Sequence, residues 1–232
     1  MSDQNPNDLV WPAGYRINPR HTSLPSDLLE AFGKIPVAVA GDCMGRSIGT
    51  MGLNAYHGSK IMCGQTITVR VRPGDNLMVH KAMMMAGAGD VIVIDGGGDL
   101  TQAVIGGLIR TTAMTKKLGG FVIDGAIRDL AEWAEGEIPV FARGHTHRGP
   151  SKEGPGEINV PVSVGGLVVQ PGDLVLGDLD GVIAIPARDA AALLPKALAH
   201  LDREAKIRET NIKGTSDPER FDAILRAKGL PI

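Results

Sequence analysis

The sequence predicts a single α/β domain whose sheet is mixed, and three observations support this class. An apolar run at residues 90–95, a segment with helical spacing and a second apolar run at residues 121–124 predict a parallel strand–helix–strand crossover. A period-two stretch at residues 65–72 and a block of short strand patterns at residues 157–185 predict antiparallel strands packed on that parallel centre. Because no low-complexity linker divides the chain, we expect one domain at residues 26–232, including the C-terminal helices.

The chain begins with an irregular segment. Residues 1–25 contain four prolines and little periodicity, so we expect an arm that lies over something else, such as a neighbouring subunit, and has no role in the fold. Residues 26–32 predict a short helix that ends at Gly33. Residues 37–40, Val-Ala-Val-Ala, predict a strand that stops at a glycine-rich turn.

The middle of the chain predicts most of the sheet. Residues 65–72 lead through a Pro-Gly-Asp turn into a second expected strand at residues 76–80, and the two predict a half-exposed antiparallel pair. The run at residues 90–95 predicts a strand buried on both faces. A glycine run and a segment with helical spacing through Lys117 follow it, and residues 121–124 predict the strand that returns beside it.

The C-terminal half predicts short strands and then helices. The expected strands lie at residues 139–142, 157–164, 167–170, 174–176 and 182–185. An amphipathic helix is predicted at residues 187–210, and a shorter one at residues 218–228.

The net charge of the chain argues against nucleic-acid and membrane partners. Twenty-four Lys and Arg residues against 26 Asp and Glu residues leave a formal net charge of −2, so no basic excess predicts binding to nucleic acid or to an anionic membrane. No apolar run reaches the roughly 18 residues of a membrane span. Two cysteines, Cys43 and Cys63, are too few for a disulfide framework. We therefore expect a cytoplasmic protein that acts on a small polar substrate, without nucleic-acid or membrane partners.

Gly106 and Gly107 interrupt a segment with helical spacing, where each glycine costs about 1 kcal/mol relative to alanine. Two interpretations remain open. The glycines allow close helix packing, or the helix begins here. In the second case the free N–H groups of Gly107, Leu108 and Ile109 point outward as a carboxylate cradle at the positive helix end.

Arg128 and Asp129 follow the strand predicted at residues 121–124. The crossover returns this strand beside the one at residues 90–95, so both side chains can face the start of the helix at Gly106 across one crevice. An anion cradle, a guanidinium and a carboxylate then converge, and this combination favours a small oxo-acid ligand.

Two other patterns indicate weaker candidates. The run Asp95-Gly-Gly-Gly-Asp99 follows a buried strand, but it matches neither the dinucleotide fingerprint nor a phosphate loop. His145 and His147 could place two imidazoles on one strand face as metal ligands. The arginines, glycine and proline around them favour a polar loop instead, and their role stays open.

Gly106-Gly107, twenty intervening residues and Arg128-Asp129, framed by residues 89–95 and 122–129, resemble the RraA-like family. That family includes the 4-hydroxy-4-methyl-2-oxoglutarate aldolases and the regulators of ribonuclease activity A. The resemblance extends over about residues 37–186. It implies a swivelling β/β/α fold, which is an α/β/β sandwich with mixed sheets. It also implies a homotrimer or dimer of trimers, with a Mg²⁺ or Mn²⁺ site at a subunit interface.

The resemblance implies roles for individual residues. Asp129 corresponds to the metal-binding aspartate, Arg128 to the substrate arginine, and the segment from Gly106 to Ile109 to the amides that hold the substrate carboxylate. The implied activity is the cleavage of a C–C bond in a small 4-hydroxy-2-oxo dicarboxylate, with oxaloacetate decarboxylation as a side activity. Both reactions give pyruvate through a stabilised enolate. Glu204 resembles an acid that family members supply across the interface, although a solvated helix carboxylate is the favoured alternative.

The chain departs from the family's aldolases at one position, where they carry Asp and this chain carries Gly107. General acid–base help is worth about 10²–10⁴ in rate, so efficient aldolase activity depends on a substitute for the missing acid. Asp99 or Asp124 is one candidate for that substitute. Otherwise the chain is a related metal-dependent enzyme with a different substrate, or a non-catalytic RraA-like regulator that binds another protein.

Overall fold

The computed structural model describes residues 13–20, 23–215 and 217–232, which form twelve strands and seven helices. The strands are β1 (Tyr15–Ile17), β2 (Asn54–Ala55), β3 (Met62–Val71), β4 (Val91–Asp95), β5 (Ala103–Ile105), β6 (Gly120–Ile127), β7 (Val140–His145), β8 (Gly156–Ile158), β9 (Val162–Val164), β10 (Leu167–Val169), β11 (Leu174–Asp178) and β12 (Gly181–Ile185). The helices are α1 (Ser26–Phe32), α2 (Val37–Cys43), α3 (Leu77–Met85), α4 (Gly107–Thr115), α5 (Leu130–Trp133), α6 (Ala187–Ile212) and α7 (Glu219–Ala227).

A mixed sheet in the order β1-β8-β3-β4-β6-β7-β2 forms the centre of the protein. β4 pairs in parallel with β3 and β6, and β6 pairs in parallel with β5 and β7. β8 and β11 run antiparallel to β3, and β12 extends the sheet beyond β11. The predicted mixed sheet and the parallel crossover from β4 to β6 are therefore confirmed.

The core lies on both faces of the central strands. Ile92 and Ile94 of β4 face the side covered by α3 and α4, whereas Val91 and Val93 face the side covered by β9–β12. A further apolar cluster packs α1, α2 and α6 against β11 and β12. A helical layer, the central sheet and a second strand layer therefore lie in that order, which confirms the α/β/β sandwich implied by the resemblance, and α1, α2 and α6 cover β11 and β12.

Two predicted strands are wrong, because the segments are helices. Residues 37–40 belong to α2, where Val37, Val39 and Ala40 are buried against the cluster on α6 and β11. Four apolar residues carry too little periodicity to separate a strand from one turn of a buried helix. Residues 76–80 lie at the start of α3, where Asp75 Oδ1 accepts the Leu77 amide at 2.9 Å.

The expected antiparallel hairpin between residues 65–72 and 76–80 therefore does not exist. β3 instead pairs with β4, β8 and β11, and it is buried along most of its length rather than half-exposed. The segment before Lys117 is not one helix either, because β5 forms first and α4 begins only at Gly107.

The ends of the chain differ in how well they were predicted. Residues 1–12, 21 and 22 of the expected arm lie outside the described residues. Its residues 15–17 form β1, which pairs in parallel with β8, so this part of the arm belongs to the sheet. The helices expected at residues 26–32, 187–210 and 218–228 are confirmed as α1, α6 and α7. Across the described residues, no helix is both long and apolar enough to cross a membrane.

Candidate active site

A crevice opens where β5 and β6 end side by side and α4 begins. β5 and β6 are parallel, with Ile105 opposite Ile127, so the residues that follow them are neighbours. Gly106 is the N-cap of α4, and the Arg128 amide donates to the Ile105 carbonyl at 3.0 Å. The interpretation that a helix begins at the glycine pair is confirmed.

The backbone at Arg128 and Asp129 is fixed in an uncommon geometry. Asp129 has a left-handed conformation (φ 62°, ψ 45°), which aspartate tolerates better than most residues do. Trp133 Nε1 donates to the Arg128 carbonyl at 2.9 Å, and its buried ring packs edge-on against Phe121. The left-handed backbone at Asp129 lets the side chains of both Arg128 and Asp129 reach the start of α4.

The Asp129 carboxylate lies at the N-terminus of α4. Its Oδ2 accepts the Gly107 amide at 2.8 Å and lies 3.5 Å from Arg128 Nε. Within the described part of the chain, the amides of Leu108 and Ile109 have no acceptor. The site thus combines a carboxylate, a guanidinium and two unused amides at the positive end of a helix.

A cavity of about 110 Å³ adjoins these groups. It is smaller than the roughly 300–1,000 Å³ of drug-sized pockets, which favours a small ligand. Asn76, His80 and Lys152 join Arg128 in its lining. Asn76 is 4% exposed and donates to the Val104 carbonyl at 2.9 Å, while its Oδ1 has no partner among the described residues.

The charge of the cavity favours an anion. Burial and the nearby Lys152 charge lower the pKa of His80, so its neutral form prevails at neutral pH. Arg128 and Lys152 supply the positive charge. The loop that carries Lys152 is held by Asp75, whose Oδ2 accepts the Ser151 hydroxyl and the Glu153 amide, both at 2.7 Å.

Neither acid proposed from sequence as a substitute at position 107 reaches the start of α4. Asp124 pairs with Arg143 and accepts the Gly165 amide at 2.7 Å. Burial alone would raise the pKa of Asp124, but these hydrogen bonds and the Arg143 charge lower it below its ordinary value. Asp99 accepts the amide and hydroxyl of Thr101.

A carboxylate that sequence reasoning missed does reach this point. A Cβ added to Gly107 would lie closer than 3.0 Å to both carboxylate oxygens of Glu132, a separation that real Cβ atoms essentially never show. Glu132 is in the one-turn helix α5, three residues after Asp129. The only sequence signal for this contact is the missing side chain at Gly107.

The remaining candidates lie elsewhere. His145 and His147 border a second cavity, which Arg128 and Asp129 also line, and the His145 ring contacts Tyr56 edge-on at 5.9 Å. Glu204 lies on α6 with its Oε1 3.0 Å from His200 Nε2, and Asp42 completes this cluster. Among the described residues, that cluster is the only group of three His, Cys, Asp or Glu side chains close enough to share an ion.

The residues around Asp129 fit a hard divalent cation. Its carboxylate is 40% exposed, and the missing side chain of Gly106 makes room for it, since a Cβ there would lie under 3.0 Å from Asp129 Oδ2. Mg²⁺ is commonly held by one or two carboxylates and keeps several waters. Asp129 and the nearby Glu132 meet this description.

Comparisons with known proteins bear on the family and the fold of this chain. Residues 26–184 match the RraA-like family described as aldolase/RraA. A protein of Thermus thermophilus named 4-hydroxy-4-methyl-2-oxoglutarate aldolase is 38% identical over 136 residues, which cover 59% of this chain and 82% of that protein. A Halalkalibacterium halodurans protein whose name proposes the same activity is 42% identical over 172 residues, covering 74% of this chain and 82% of that protein.

A solved structure has the same fold. Streptomyces coelicolor RraAS2, described as an unusual member of the RNase ES inhibitor RraA family, has a TM-score of 0.75 at 25% identity. The likeness covers 81% of this chain and 98% of RraAS2.

Proposed function

Because this chain belongs to the aldolase/RraA family, we propose that it is a divalent-metal-dependent lyase that releases pyruvate. The proposed substrate is a small 4-hydroxy-2-oxo dicarboxylate of the 4-hydroxy-4-methyl-2-oxoglutarate type, and oxaloacetate decarboxylation is the proposed side activity. The observation that carries the proposal is that Arg128 and the start of α4, with its unused amides, line one small cavity, while the Asp129 carboxylate accepts the Gly107 amide beside Arg128.

The cavity can bind both ends of such a substrate. The Leu108 and Ile109 amides and the Arg128 guanidinium bind the carboxylate of the 2-oxo acid. Lys152 binds the second carboxylate. An apolar substrate would leave these polar groups desolvated without partners.

Asp129, with Glu132 nearby, would hold Mg²⁺ or Mn²⁺. The ion, when bound, supplies Lewis acidity toward the 2-oxo and carboxylate oxygens. In the reaction the bond between C3 and C4 breaks, a water molecule accepts the hydroxyl proton, and C4 becomes a carbonyl carbon. The electron pair remains on the pyruvate enolate, whose charge Arg128 stabilises, and protonation at C3 gives pyruvate.

We also propose that the protein is a cytoplasmic homotrimer or dimer of trimers. Met84 and Leu108 support self-association, because both are largely exposed and line a neighbouring surface cavity that a second copy of the chain would cover. The proposed number of copies comes from the family resemblance. A mass measurement in solution tests it, and a monomer would contradict it.

Pyruvate release from 4-hydroxy-4-methyl-2-oxoglutarate and from oxaloacetate tests the activity. We expect release with Mg²⁺, no release after chelation, and loss of release in Asp129→Ala. Asp99→Ala serves as the matched control, because Asp99 bonds to Thr101 away from the cavity, and it should keep activity.

Absence of release from both compounds, in protein that still binds the metal, would contradict the lyase. That result would favour a second candidate, a regulator that binds another protein. The structural likeness to RraAS2 is the observation in its favour.

A further inference from the structure

We propose that Glu132 supplies the second carboxylate of the metal site, in the space that Gly107 leaves open. This inference rests on the metal dependence included in the proposed function. It assigns a role to a residue that no sequence motif identified, and it removes the difficulty that position 107 carries no acid.

The first argument is the position of the carboxylate. Both oxygens of Glu132 lie where a side chain at Gly107 would begin, and Asp129 Oδ2 accepts the amide of the same glycine. Since both carboxylates approach one residue, their nearest oxygens are at most about 8 Å apart. An ion and one of its waters span up to about 7 Å, because Mg–O distances are about 2.1 Å and charge-assisted hydrogen bonds about 2.7 Å. A small rotation of the exposed Glu132 side chain closes any remainder.

The second argument is that the Glu132 carboxylate has no hydrogen-bond or ion-pair partner in the described structure. None of the residues described there donates a hydrogen bond to its carboxylate or forms an ion pair with it. The two following glutamates differ, since Glu135 and Glu137 both pair with the buried Arg110. Among these three glutamates, Glu132 is the one that brings an unpaired carboxylate to the start of α4 in the described structure.

The third argument is that the surrounding structure aims this side chain. α5 is a single turn that follows the left-handed Asp129 and ends at the fully buried Trp133. Asp129 and Glu132 are three residues apart, and the Glu132 amide donates to the Asp129 carbonyl at 3.1 Å. The same short turn therefore carries both carboxylates toward the start of α4.

Glu132 is accordingly a positioning residue. Asp129 binds the ion directly, and Glu132 accepts a hydrogen bond from a water on that ion, which fixes the orientation of the water. Partners of this kind typically contribute 10–100-fold to metal affinity or activity.

The contact between Glu132 and Gly107 allows a direct test, in which the carboxylate is moved from one of these positions to the other. An aspartate at position 107 would place its carboxylate in the space that Glu132 occupies, and Gly107 does not have a positive φ that would strain a side chain. Aspartate in the first turn of a helix is favourable as well. The pair Glu132→Ala and Gly107→Asp therefore moves the carboxylate from α5 to α4 without removing it.

Titration of Mn²⁺ into the intact protein, followed by calorimetry and by the electron paramagnetic resonance signal of free Mn²⁺, measures the effect without substrate. We expect Glu132→Ala and the isosteric Glu132→Gln to weaken Mn²⁺ binding about 10–100-fold. The double variant Glu132→Ala with Gly107→Asp should recover most of the affinity. Glu135→Ala, which removes the same charge one turn away, should bind Mn²⁺ like the wild type.

Unchanged Mn²⁺ affinity in both Glu132 variants would overturn the proposal. Weakened binding that the double variant does not recover, at an unchanged thermal midpoint, would overturn it as well. A protein that releases no pyruvate yet shows the expected Mn²⁺ pattern would contradict the lyase and leave the role of Glu132 standing.

Discussion

Two arginine–aspartate pairs lie near the end of β6, with their aspartates five residues apart, and they differ in burial, in hydrogen bonding and in what they border. Asp124, within the strand, is 10% exposed and binds Arg143 with both oxygens, and the Gly165 amide adds a third hydrogen bond. Arg128 and Asp129, just after the strand, are 38% and 40% exposed, with 3.5 Å between Nε and Oδ2. The first pair joins β6, β7 and the β9–β10 turn, whereas the second borders a cavity.

The difference shows how to separate a structural ion pair from a binding one. Asp124 has used its hydrogen-bonding capacity within the protein, so breaking the pair leaves a buried charge without a partner. The Arg128–Asp129 pair lies in solvent and contributes little to folding. The hydrogen-bond donors of Arg128 and the free carboxylate oxygen of Asp129 are therefore available to a ligand and an ion.

The largest effect is expected at the binding pair. Arg128→Met should lower kcat/KM for pyruvate release about 10²–10³-fold, because it removes the donor that stabilises the enolate charge. The free energy of unfolding should change by no more than about 0.5 kcal/mol, since the pair is exposed. Steady-state kinetics and thermal unfolding of one preparation measure both quantities. An active Arg128→Met protein would remove Arg128 from the reaction.

The same substitution at the structural pair should have the opposite profile. Arg143→Met leaves Asp124 buried without its partner and should cost about 2 kcal/mol, below the range for fully buried pairs because Arg143 is partly exposed. For a chain of this size the thermal midpoint falls by about 4–8 °C. kcat/KM should remain at the wild-type value below that transition, and a large loss of activity in stable protein would contradict the comparison.

Two glycines sharpen the comparison at a smaller scale. Gly106→Ala places a Cβ against Asp129 Oδ2 with no backbone strain, since the φ of Gly106 is −159°, and should weaken Mn²⁺ binding about 10-fold. Gly98, beside Arg143 and Asp124, has a φ of +73°, so Gly98→Ala should cost about 1 kcal/mol of stability.

Mn²⁺ titration and thermal unfolding of both glycine variants distinguish the two expectations. If Gly98→Ala weakened the metal site while Gly106→Ala destabilised the fold, the assignment of the two pairs would be reversed.

The smallest effect is a pH dependence at the structural pair. The hydrogen bonds and charge that Arg143 and the Gly165 amide supply outweigh burial, so the pKa of Asp124 is lower in the folded chain. Its contribution to stability is therefore complete above the ordinary carboxyl pKa of about 4 and is lost as the pH falls through the folded value. Asp124→Asn should flatten the fall of the thermal midpoint between pH 6 and pH 3 relative to wild type. Parallel curves would show that Asp124 is not a source of the acid sensitivity.

The sequence predicted the elements that depend on long or regular patterns. The apolar run in β4 and its repeat in β6 indicated parallel neighbours, and α6 showed helical periodicity over many residues. The strands predicted at residues 37–40 and 76–80 were wrong. In short apolar segments, tertiary packing (at α2) or a capping hydrogen bond (at α3) decides between strand and helix. The sequence did contain a helix-start signal at residues 76–80, because Asp75 and Asn76 precede a run of strong helix formers.

The candidate site was predictable only where chain order brings residues together. A crossover places Arg128 and Asp129 opposite the start of a helix at Gly106, and this placement is observed. Glu132 could not be found in this way, because its side chain meets Gly107 through the left-handed turn at Asp129. The unpaired Asn76 Oδ1 likewise depends on a helix that the sequence did not indicate.

Strand β3 has a consequence for how the chain reaches its native state. Its first residues pair with β11, its central residues with β4 and its last with β8, so one ten-residue strand closes three long loops of the chain. Such high contact order slows folding, because loop entropy is lost before the pairings stabilise the chain. It also connects both strand layers through one segment, so we expect the amides at residues 66–69 to be among the slowest in the chain to exchange with solvent.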